Sequence, residues 1–238
     1  MCTVIYIPTE KGSYLCSVRD ENPFRERALF PEEMSGEKYR FWAPIDPKAG
    51  GTWWTINQLG NTLILLNGAF NNHLPNTRLY RKSRGLIIKE LSQETNLHEA
   101  WTQINLNDIE PFTLILKSQN ELVECRWNGQ SKFWKKIDQE QAHIWSSATL
   151  YPLEARRQRE LLFYDFISKP VSKTQDIEDF LFQHSEPSNG FIMHRFEEMR
   201  SLSISIVAFD QIVSNAEIYY HDLLDGKKNI QTIQLTTI

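Results

Sequence analysis

The sequence predicts an α+β fold with antiparallel sheets. Short segments rich in β-branched and aromatic residues come in pairs, and a few turn-forming residues separate the members of each pair. Segments with helical spacing stand between groups of these pairs, whereas a parallel α/β fold alternates single strands with single helices. No linker-like stretch divides the 238 residues. We therefore expect one domain over residues 1–238.

Two hairpins are predicted in the first third of the chain. Residues 3–7 and 14–18 flank a turn that contains a proline and a glycine, and residues 52–56 and 62–67 flank a second turn. Residues 22–51 lie between the hairpins and are rich in proline, glycine and charge. This composition predicts a loop.

The middle of the chain predicts helices followed by further strands. Residues 83–104 carry apolar side chains at helical spacing, which indicates one or two helices. A third hairpin is predicted over residues 112–117 and 121–127. We expect residues 131–137 and 142–151 to form a fourth strand pair.

The last third predicts two helices and a closing pair of strands. The helices cover residues 153–169 and 177–183, and the strands cover residues 203–209 and 216–223. The end of the first of these helices is apolar on all sides, which predicts that other elements sandwich it.

Composition excludes several classes of protein. A net charge of -4 argues against general nucleic-acid binding, which requires a basic surface. We expect no membrane span and no secretory signal, and hence a cytoplasmic location. The three cysteines, Cys2, Cys16 and Cys125, lie far apart without a CxxC pair, so neither a disulfide framework nor a metal site is expected.

The sequence contains no phosphate-binding loop and no dinucleotide-binding fingerprint, so no motif of this kind predicts a bound cofactor. Trp53 and Trp54 are adjacent on a predicted strand, so they point to opposite faces. Core packing accounts for both, and lining of a substrate pocket remains an alternative for one. Arg84 is the last residue of a basic run. This run either binds an anion such as a phosphate or a carboxylate, or forms a solvated loop that leads into a helix.

Cys2 is a candidate nucleophile because it follows the initiator Met1. If Met1 is removed, the free α-amine of Cys2, with a pKa near ~8, can accept the proton of its own thiol. One residue then supplies both nucleophile and base. An unremarkable residue close to the terminus is the alternative.

The charged run that begins at Arg19 gains a structural role from the first hairpin. If its two strands pair across the predicted turn, residues whose numbers sum to about 21 lie opposite one another. Cys2 then faces Arg19, and Asp20 lies next to that pair. A solvated loop after a strand is the competing interpretation.

The order of several short motifs resembles the family named for an Asn-Arg-Asp-Glu motif, also called the transport and Golgi organisation protein 2 family. The matching pieces are Met1-Cys2, Arg19-Asp20-Glu21, Gly50-Gly51-Thr52-Trp53, Asn67, Ser83-Arg84-Gly85 and the late segment that contains Arg200 and Ser201. Val18 and Ser147 stand where the family pattern has Asn.

The resemblance implies an N-terminal nucleophile hydrolase-like fold, which is a four-layer αββα sandwich of two stacked antiparallel sheets. It also implies that Cys2 attacks a linear amide bond of a small-molecule substrate without a metal or an organic cofactor. Arg19 and Asp20 then tune Cys2, Asn67 donates to the oxyanion, and Ser147 and Arg200 complete the catalytic set. Trp53, Trp54 and Arg84 are the candidate pocket residues.

A non-catalytic role remains the alternative, because the family is linked to Golgi organisation and haem handling. In that case Cys2 or His73 contacts haem or another hydrophobic ligand. The oligomeric state is left open.

Overall fold

The computed structural model describes residues 3–72, 80–195 and 198–236. Fourteen strands are found in these residues, namely β1 (Thr3–Thr9), β2 (Gly12–Glu21), β3 (Leu29–Ser35), β4 (Arg40–Ile45), β5 (Trp54–Asn57), β6 (Thr62–Asn67), β7 (Phe112–Lys117), β8 (Leu122–Trp127), β9 (Lys132–Ile137), β10 (His143–Ser146), β11 (His194–Arg195), β12 (Met199–Asp210), β13 (Asn215–Asp222) and β14 (Lys228–Gln234). The helices of the same residues are α1 (Arg84–Leu91), α2 (Leu97–Gln103), α3 (Leu153–Phe166) and α4 (Thr174–Gln183).

The strands form two antiparallel sheets, each within its own compact unit. Unit 1 comprises the described parts of Met1–Arg25 and Gln139–Gln234, and unit 2 comprises those of Glu26–Asp138 and Leu235–Ile238. The sheet of unit 1 has the order β10-β1-β2-β12-β13-β14, with β11 paired to β12. The sheet of unit 2 has the order β3-β4-β5-β6-β7-β8-β9. Antiparallel strands with helices in separate groups confirm the α+β class.

The first hairpin has the predicted register. Thr3 pairs with Val18 and Thr9 pairs with Gly12, so the numbers of paired residues sum to 21. Gly12 is required where β12 approaches, because a Cβ atom at this position would lie 1.9 Å from the backbone oxygen of Phe209. The turn and the neighbouring strand together fix which side chains of β1 and β2 share a face.

The core of unit 1 lies between its sheet and its two helices. Apolar side chains of β1, β2 and β12 pack against Phe163 of α3 and against Ile177, Phe180 and Leu181 of α4. Val18 belongs to this cluster and is fully buried. An apolar side chain therefore fills the position at which the family pattern has Asn.

The core of unit 2 follows the same arrangement. Side chains from one face of β6, β7 and β8 pack against α1 and α2, and Trp101 contacts Phe112 edge to face at 5.8 Å. The predicted helices over residues 83–104 and the hairpin over residues 112–127 are therefore confirmed. None of the helices in the described ranges is long and apolar enough to cross a membrane.

The predicted loop over residues 22–51 is wrong, because it contains β3 and β4. β3 is an edge strand, and most of its side chains are exposed or half-buried. Charged residues and a proline are typical of edge strands, which need no apolar face on the solvent side. β14 was missed for the same reason, since it is polar and forms the edge of the other sheet.

The predicted pairing of residues 131–137 with residues 142–151 is also wrong. β9 pairs with β8 in unit 2, whereas β10 pairs with β1 in unit 1. Both segments have strand-like composition, but composition does not specify the partner of a strand. β10 therefore pairs with β1, a strand distant in sequence, and β9 pairs with the strand that precedes it.

The surroundings of α3 differ from the prediction at one point. Leu161 is 66% exposed, so the apolar end of the helix is not covered on every side. The buried residues of this helix are instead Ala155, Arg159 and Phe163, which follow one another at four-residue spacing. A charged residue therefore occupies the centre of the buried stripe.

Candidate functional site

Four of the predicted site residues lie on neighbouring strand ends in unit 1. Arg19 and Asp20 are on β2, Arg200 is on β12 beside them, and Ser147 directly follows β10. Asp20 pairs with Ser201 in the β2–β12 ladder. The predicted nucleophile Cys2, together with Met1, lies outside the described residues.

Thr3 is the residue that follows Cys2 in sequence, and it is held from both sides. Its backbone pairs with Val18 of β2 and with Ser146 of β10. Thr3 is fully buried. The strand ends that carry Arg19, Asp20 and Ser147 therefore lie on both sides of the first described residue.

Asp20 is a buried carboxylate with two hydroxyl donors. Its Oδ1 accepts from the hydroxyl of Ser201 at 2.5 Å, and its Oδ2 accepts from the hydroxyl of Tyr151 at 3.0 Å. The Ser201 hydroxyl also accepts from the backbone N–H of Met193 at 2.9 Å. Ser201 thus accepts from the N–H of Met193 and donates its single hydroxyl proton to Asp20.

The charge state of Asp20 reflects opposing effects. Burial raises the pKa of this carboxyl group above its ordinary value, because an interior site disfavours the charged form. The hydrogen bond from Ser201, the positive charge of Arg159 and the hydrogen bond from Tyr151 lower the pKa and oppose that shift. The donors around Asp20 thus offset part of the cost of burying its charge.

Arg19 and Ser147 are both buried. Arg19 is 4% exposed, and its Nη2 lies 3.9 Å from Oε2 of Glu21. The hydroxyls of Ser147 and Thr149 are 3.0 Å apart, and the Ser147 carbonyl accepts from the N–H of Tyr151 at 3.2 Å. The turn after β10 therefore links Ser147 to the tyrosine that donates to Asp20.

Three residues of this cluster had no predicted role, namely Tyr151, Arg159 and Ser201. Arg159 of α3 is 2% exposed, and its guanidinium carbon lies 4.2 Å from the ring centres of both Tyr151 and Phe191. A signal for Arg159 exists in the sequence, because Ala155 and Phe163 stand four residues to either side on the same helical face. Ser201 lies in the late segment that resembles the family, although no role was predicted for it, and Tyr151 gave no signal in the sequence.

The remaining predicted residues lie in unit 2. Trp53 and Trp54 are both buried, in agreement with core packing. Arg84 forms an ion pair with Glu110 at 3.1 Å and donates to the carbonyl oxygen of Pro111 at 3.2 Å. The same carbonyl accepts from the N–H of Gly68, the residue after Asn67. Arg84 and the backbone just after β6 thus donate to the same carbonyl oxygen, that of Pro111.

Two of the glycine-containing motifs meet within unit 2. The N–H of Thr52 donates to the carbonyl of Gly85 at 3.3 Å, and a Cβ atom on Gly85 would lie 2.6 Å from the backbone oxygen of Thr52. Gly51 meets the same backbone, since its Cβ would lie 2.9 Å from the carbonyl carbon of Gly85. Close backbone contact explains why both motifs contain glycine.

The two described cysteines are unsuited to nucleophilic chemistry. Cys16 and Cys125 are free thiols at 1% and 0% exposure. Burial raises the pKa of both thiols far above the ordinary value, and nearby carboxylates, Glu178 for Cys16 and Glu124 for Cys125, raise it further. A thiolate is the reactive form, so these side chains are inert near neutral pH. His73, the alternative ligand contact, lies outside the described residues.

The unit 1 cluster has the components that a nucleophile at a chain terminus needs. A buried carboxylate with fixed orientation supplies a hydrogen-bond acceptor, and two buried guanidinium groups, of Arg19 and Arg159, supply positive charge. An acceptor orients an amine, and positive charge favours a thiolate. The cluster surrounds the strand that begins immediately after Cys2.

A family model described as Transport and Golgi organisation 2 matches residues 1–204. The chain belongs to the Transport and Golgi organisation 2 family. The resemblance inferred from the short motifs is thereby confirmed, and the match extends well beyond the first 85 residues. A comparison with curated proteins finds no match.

Solved structures with a similar fold are amide hydrolases at low sequence identity. A Caenorhabditis elegans ortholog of N-acylethanolamine-hydrolyzing acid amidase has a TM-score of 0.61 and 9% identity, with 86% of this chain and 92% of that chain covered. A mutant of the conjugated bile acid hydrolase from Clostridium perfringens has a TM-score of 0.59 and 9% identity, with 100% and 99% covered. These likenesses confirm the N-terminal nucleophile hydrolase-like fold class of this family member.

Proposed function

We propose that the protein is an N-terminal cysteine hydrolase that cleaves a linear amide bond in a small-molecule substrate. The observation that carries the proposal is the buried Asp20, held by Ser201 and Tyr151, beside the strand that starts at Thr3. A buried carboxylate is costly, and buried ionisable groups cluster at functional sites.

The proposed reaction has two steps at Cys2. After Met1 is removed, the α-amine takes the thiol proton, and the sulfur attacks the amide carbonyl to give a thioester while the amine product leaves with a proton. Water then attacks the thioester and releases the acid. In this scheme Arg19 and Asp20 tune Cys2, and backbone N–H groups donate to the oxyanion.

The similar structures support this assignment. One of them is a conjugated bile acid hydrolase in which the cysteine at position two is replaced by alanine, and the other is an ortholog of an acylethanolamide-cleaving amidase. Both names denote hydrolases of small molecules. The proposed location is cytoplasmic, because a reactive thiol persists in a reducing compartment.

The test begins with the intact mass of the purified protein. We expect a mass that lacks Met1, and retention of Met1 excludes the mechanism, because the α-amine would belong to the wrong residue. Native protein is then treated with iodoacetamide at pH 7.5. Modification of Cys2 alone is expected, with Cys16 and Cys125 modified only after denaturation.

Hydrolysis is measured with a panel of fatty-acyl amides of 7-amino-4-methylcoumarin. We expect Cys2→Ala to abolish fluorophore release, whereas Cys125→Ala, matched in chemistry but located in the core of unit 2, should retain it in the folded fraction. No release with any acyl chain from protein that has lost Met1 would favour the ligand-binding alternative. Haem titration with an absorbance shift lost in His73→Ala would then identify that role.

A further inference from the structure

Arg159 makes an unusual set of contacts for an arginine in the middle of a helix. Its Nη2 donates to the hydroxyl of Thr3, and its Nε donates to the hydroxyl of Ser146 at 3.2 Å. Its Nη1 donates to the carbonyls of Asn189 and Gly190 at 2.9 Å and 2.6 Å. The guanidinium is therefore fixed by neutral oxygens and by the two aromatic rings of Tyr151 and Phe191.

Thr3 and Ser146, the two hydroxyl partners, are themselves a cross-strand pair. They stand opposite each other in the β1–β10 ladder. The guanidinium thus bridges the two strands at this pair. In the sequence, Thr3 is the neighbour of Cys2, and Ser146 is the neighbour of Ser147, so the bridge joins the residues next to two members of the proposed catalytic set.

Packing alone does not account for a charge at this position. Within the described ranges no carboxylate lies within 4.0 Å of the Arg159 guanidinium, although its charge acts on Asp20 at longer range. A guanidinium does not lose its proton inside a protein, and a buried charge without an ion pair is costly compared with an apolar side chain of similar size. The position therefore favours a role that an apolar residue cannot fill.

We propose that Arg159 is a positioning residue for the reaction: by binding the hydroxyls of Thr3 and Ser146, it fixes the ends of β1 and β10, which are adjacent in sequence to Cys2 and Ser147. This inference rests on the proposed function. Arg159 acts through Thr3 and Ser146 and does not itself touch the reacting atoms. Its removal should slow the chemical step and leave substrate affinity unchanged.

The test uses two variants of the bridge and one matched control. Arg159→Met keeps most of the side-chain volume but removes all donors, and Thr3→Val removes only the hydroxyl that Arg159 binds. Arg157→Met alters an exposed arginine on the same helix. For each variant, kcat and KM are measured with the acyl-coumarin amide that the wild type cleaves best, together with the melting temperature.

We expect kcat to fall at least tenfold in Arg159→Met and in Thr3→Val, with KM changed less than twofold. Thr3→Ser, which keeps the hydroxyl, should retain most of the kcat that is lost in Thr3→Val. Arg157→Met should have the kcat of the wild type. The double variant Thr3→Val/Arg159→Met should be no slower than Arg159→Met alone, because both substitutions remove the same hydrogen bond between Arg159 and Thr3. A folded Thr3→Val with wild-type kcat overturns the proposal, even where Arg159→Met does not fold.

A second readout separates this inference from the proposed function. The rate of Cys2 alkylation by iodoacetamide requires no amide hydrolysis, and Cys16 and Cys125 serve as unreactive internal controls. If the wild type cleaves no amide, the proposed function fails. In that case a Cys2 alkylation rate that changes at least threefold in Thr3→Val supports the positioning role, and an unchanged rate overturns it.

Discussion

Ser201 donates its hydroxyl proton to Oδ1 of Asp20 at 2.5 Å, across a separation of 181 residues in sequence. The same hydroxyl accepts from the N–H of Met193, so one side chain satisfies a buried carboxylate and a buried amide. Ser203, two residues further along the strand, is equally buried, but its hydroxyl has no hydrogen-bond partner in the described part of the chain. The two serines form a natural pair for comparison.

We expect Ser201→Ala to lower the free energy of unfolding by about 2–3 kcal/mol, because it removes one of the donors to the buried Asp20 and leaves the N–H of Met193 without its acceptor. Ser203→Ala should change it by less than about 0.5 kcal/mol, since no hydrogen bond is lost. Chemical denaturation at pH 7 measures both. Equal losses in the two variants would show that the Asp20 contact does not stabilise the fold.

Gly85 is expected to tolerate no side chain. Its Cβ would lie 2.6 Å and 2.7 Å from the backbone oxygen and nitrogen of Thr52, so Gly85→Ala should cost about 3 kcal/mol through forced backbone movement. Gly50→Ala is the control, because Gly50 has open space around it and only a positive φ of 63°. That change should cost about 1 kcal/mol. Thermal unfolding distinguishes them, and a milder effect at Gly85 would contradict the expected contact.

Glu178 gives the fold a dependence on acid pH. Its buried carboxylate accepts from Lys228 at 2.8 Å, from Tyr219 at 2.6 Å and from His221 at 2.5 Å. Burial raises the pKa of Glu178, but these donors outweigh it and hold the pKa below its ordinary value. Its stabilisation is therefore present above the ordinary pKa and is lost as the pH falls through the folded-state pKa.

We expect Glu178→Gln to lower the free energy of unfolding by about 2 kcal/mol at pH 7, because a neutral amide accepts weaker hydrogen bonds than the buried carboxylate does from Tyr219, His221 and the solvent-exposed Lys228. The difference from the wild type should shrink below pH 4.5. Glu160→Gln, on the exposed side of α3, should show no difference at any pH. A pH-independent loss in Glu178→Gln would mean that packing, and not charge, carries the effect.

Lys117 should also make the fold more stable as the pH rises, but in the alkaline range. It is 4% exposed, and burial lowers the pKa of its ammonium group to about 8. A base with a lowered pKa contributes stability above its ordinary pKa of 10.5, and this contribution is lost as the pH falls through about 8. The charged form is therefore unfavourable at neutral pH.

We expect Lys117→Met to raise the free energy of unfolding at pH 7 by up to about 3 kcal/mol. The advantage should diminish as the pH rises from 8 to 10, because the wild-type side chain then becomes neutral in the folded state. Lys135→Met, at an exposed position of β9, is the matched control and should leave the free energy of unfolding unchanged. Denaturant unfolding at pH 7 and pH 10 provides the comparison. A variant less stable than the wild type at pH 7 would contradict the inference.

The sequence was informative wherever structure is local. Alternation and turn residues predicted the hairpin from Thr3 to Val18 with its register, and helical spacing predicted α1 to α4. Edge strands such as β3 escaped prediction because they have no apolar face to reveal them. The same composition that identified β9 and β10 as strands gave no information about which sheet each one joins.

For the candidate site, the sequence by itself determined the order of the motifs, and with it the family, the charged pair Arg19-Asp20 and its place at the end of the strand that pairs with β1. Only the tertiary structure decided that Tyr151 and Ser201 donate to Asp20 and that Arg159 bridges Thr3 and Ser146. The physical reason is that Asp20 and its two donors, like Thr3 and Arg159, lie 131 or more residues apart in sequence. Periodicity reports which face of an element is buried, whereas the partner of a buried charge is set by long-range packing that no local pattern encodes.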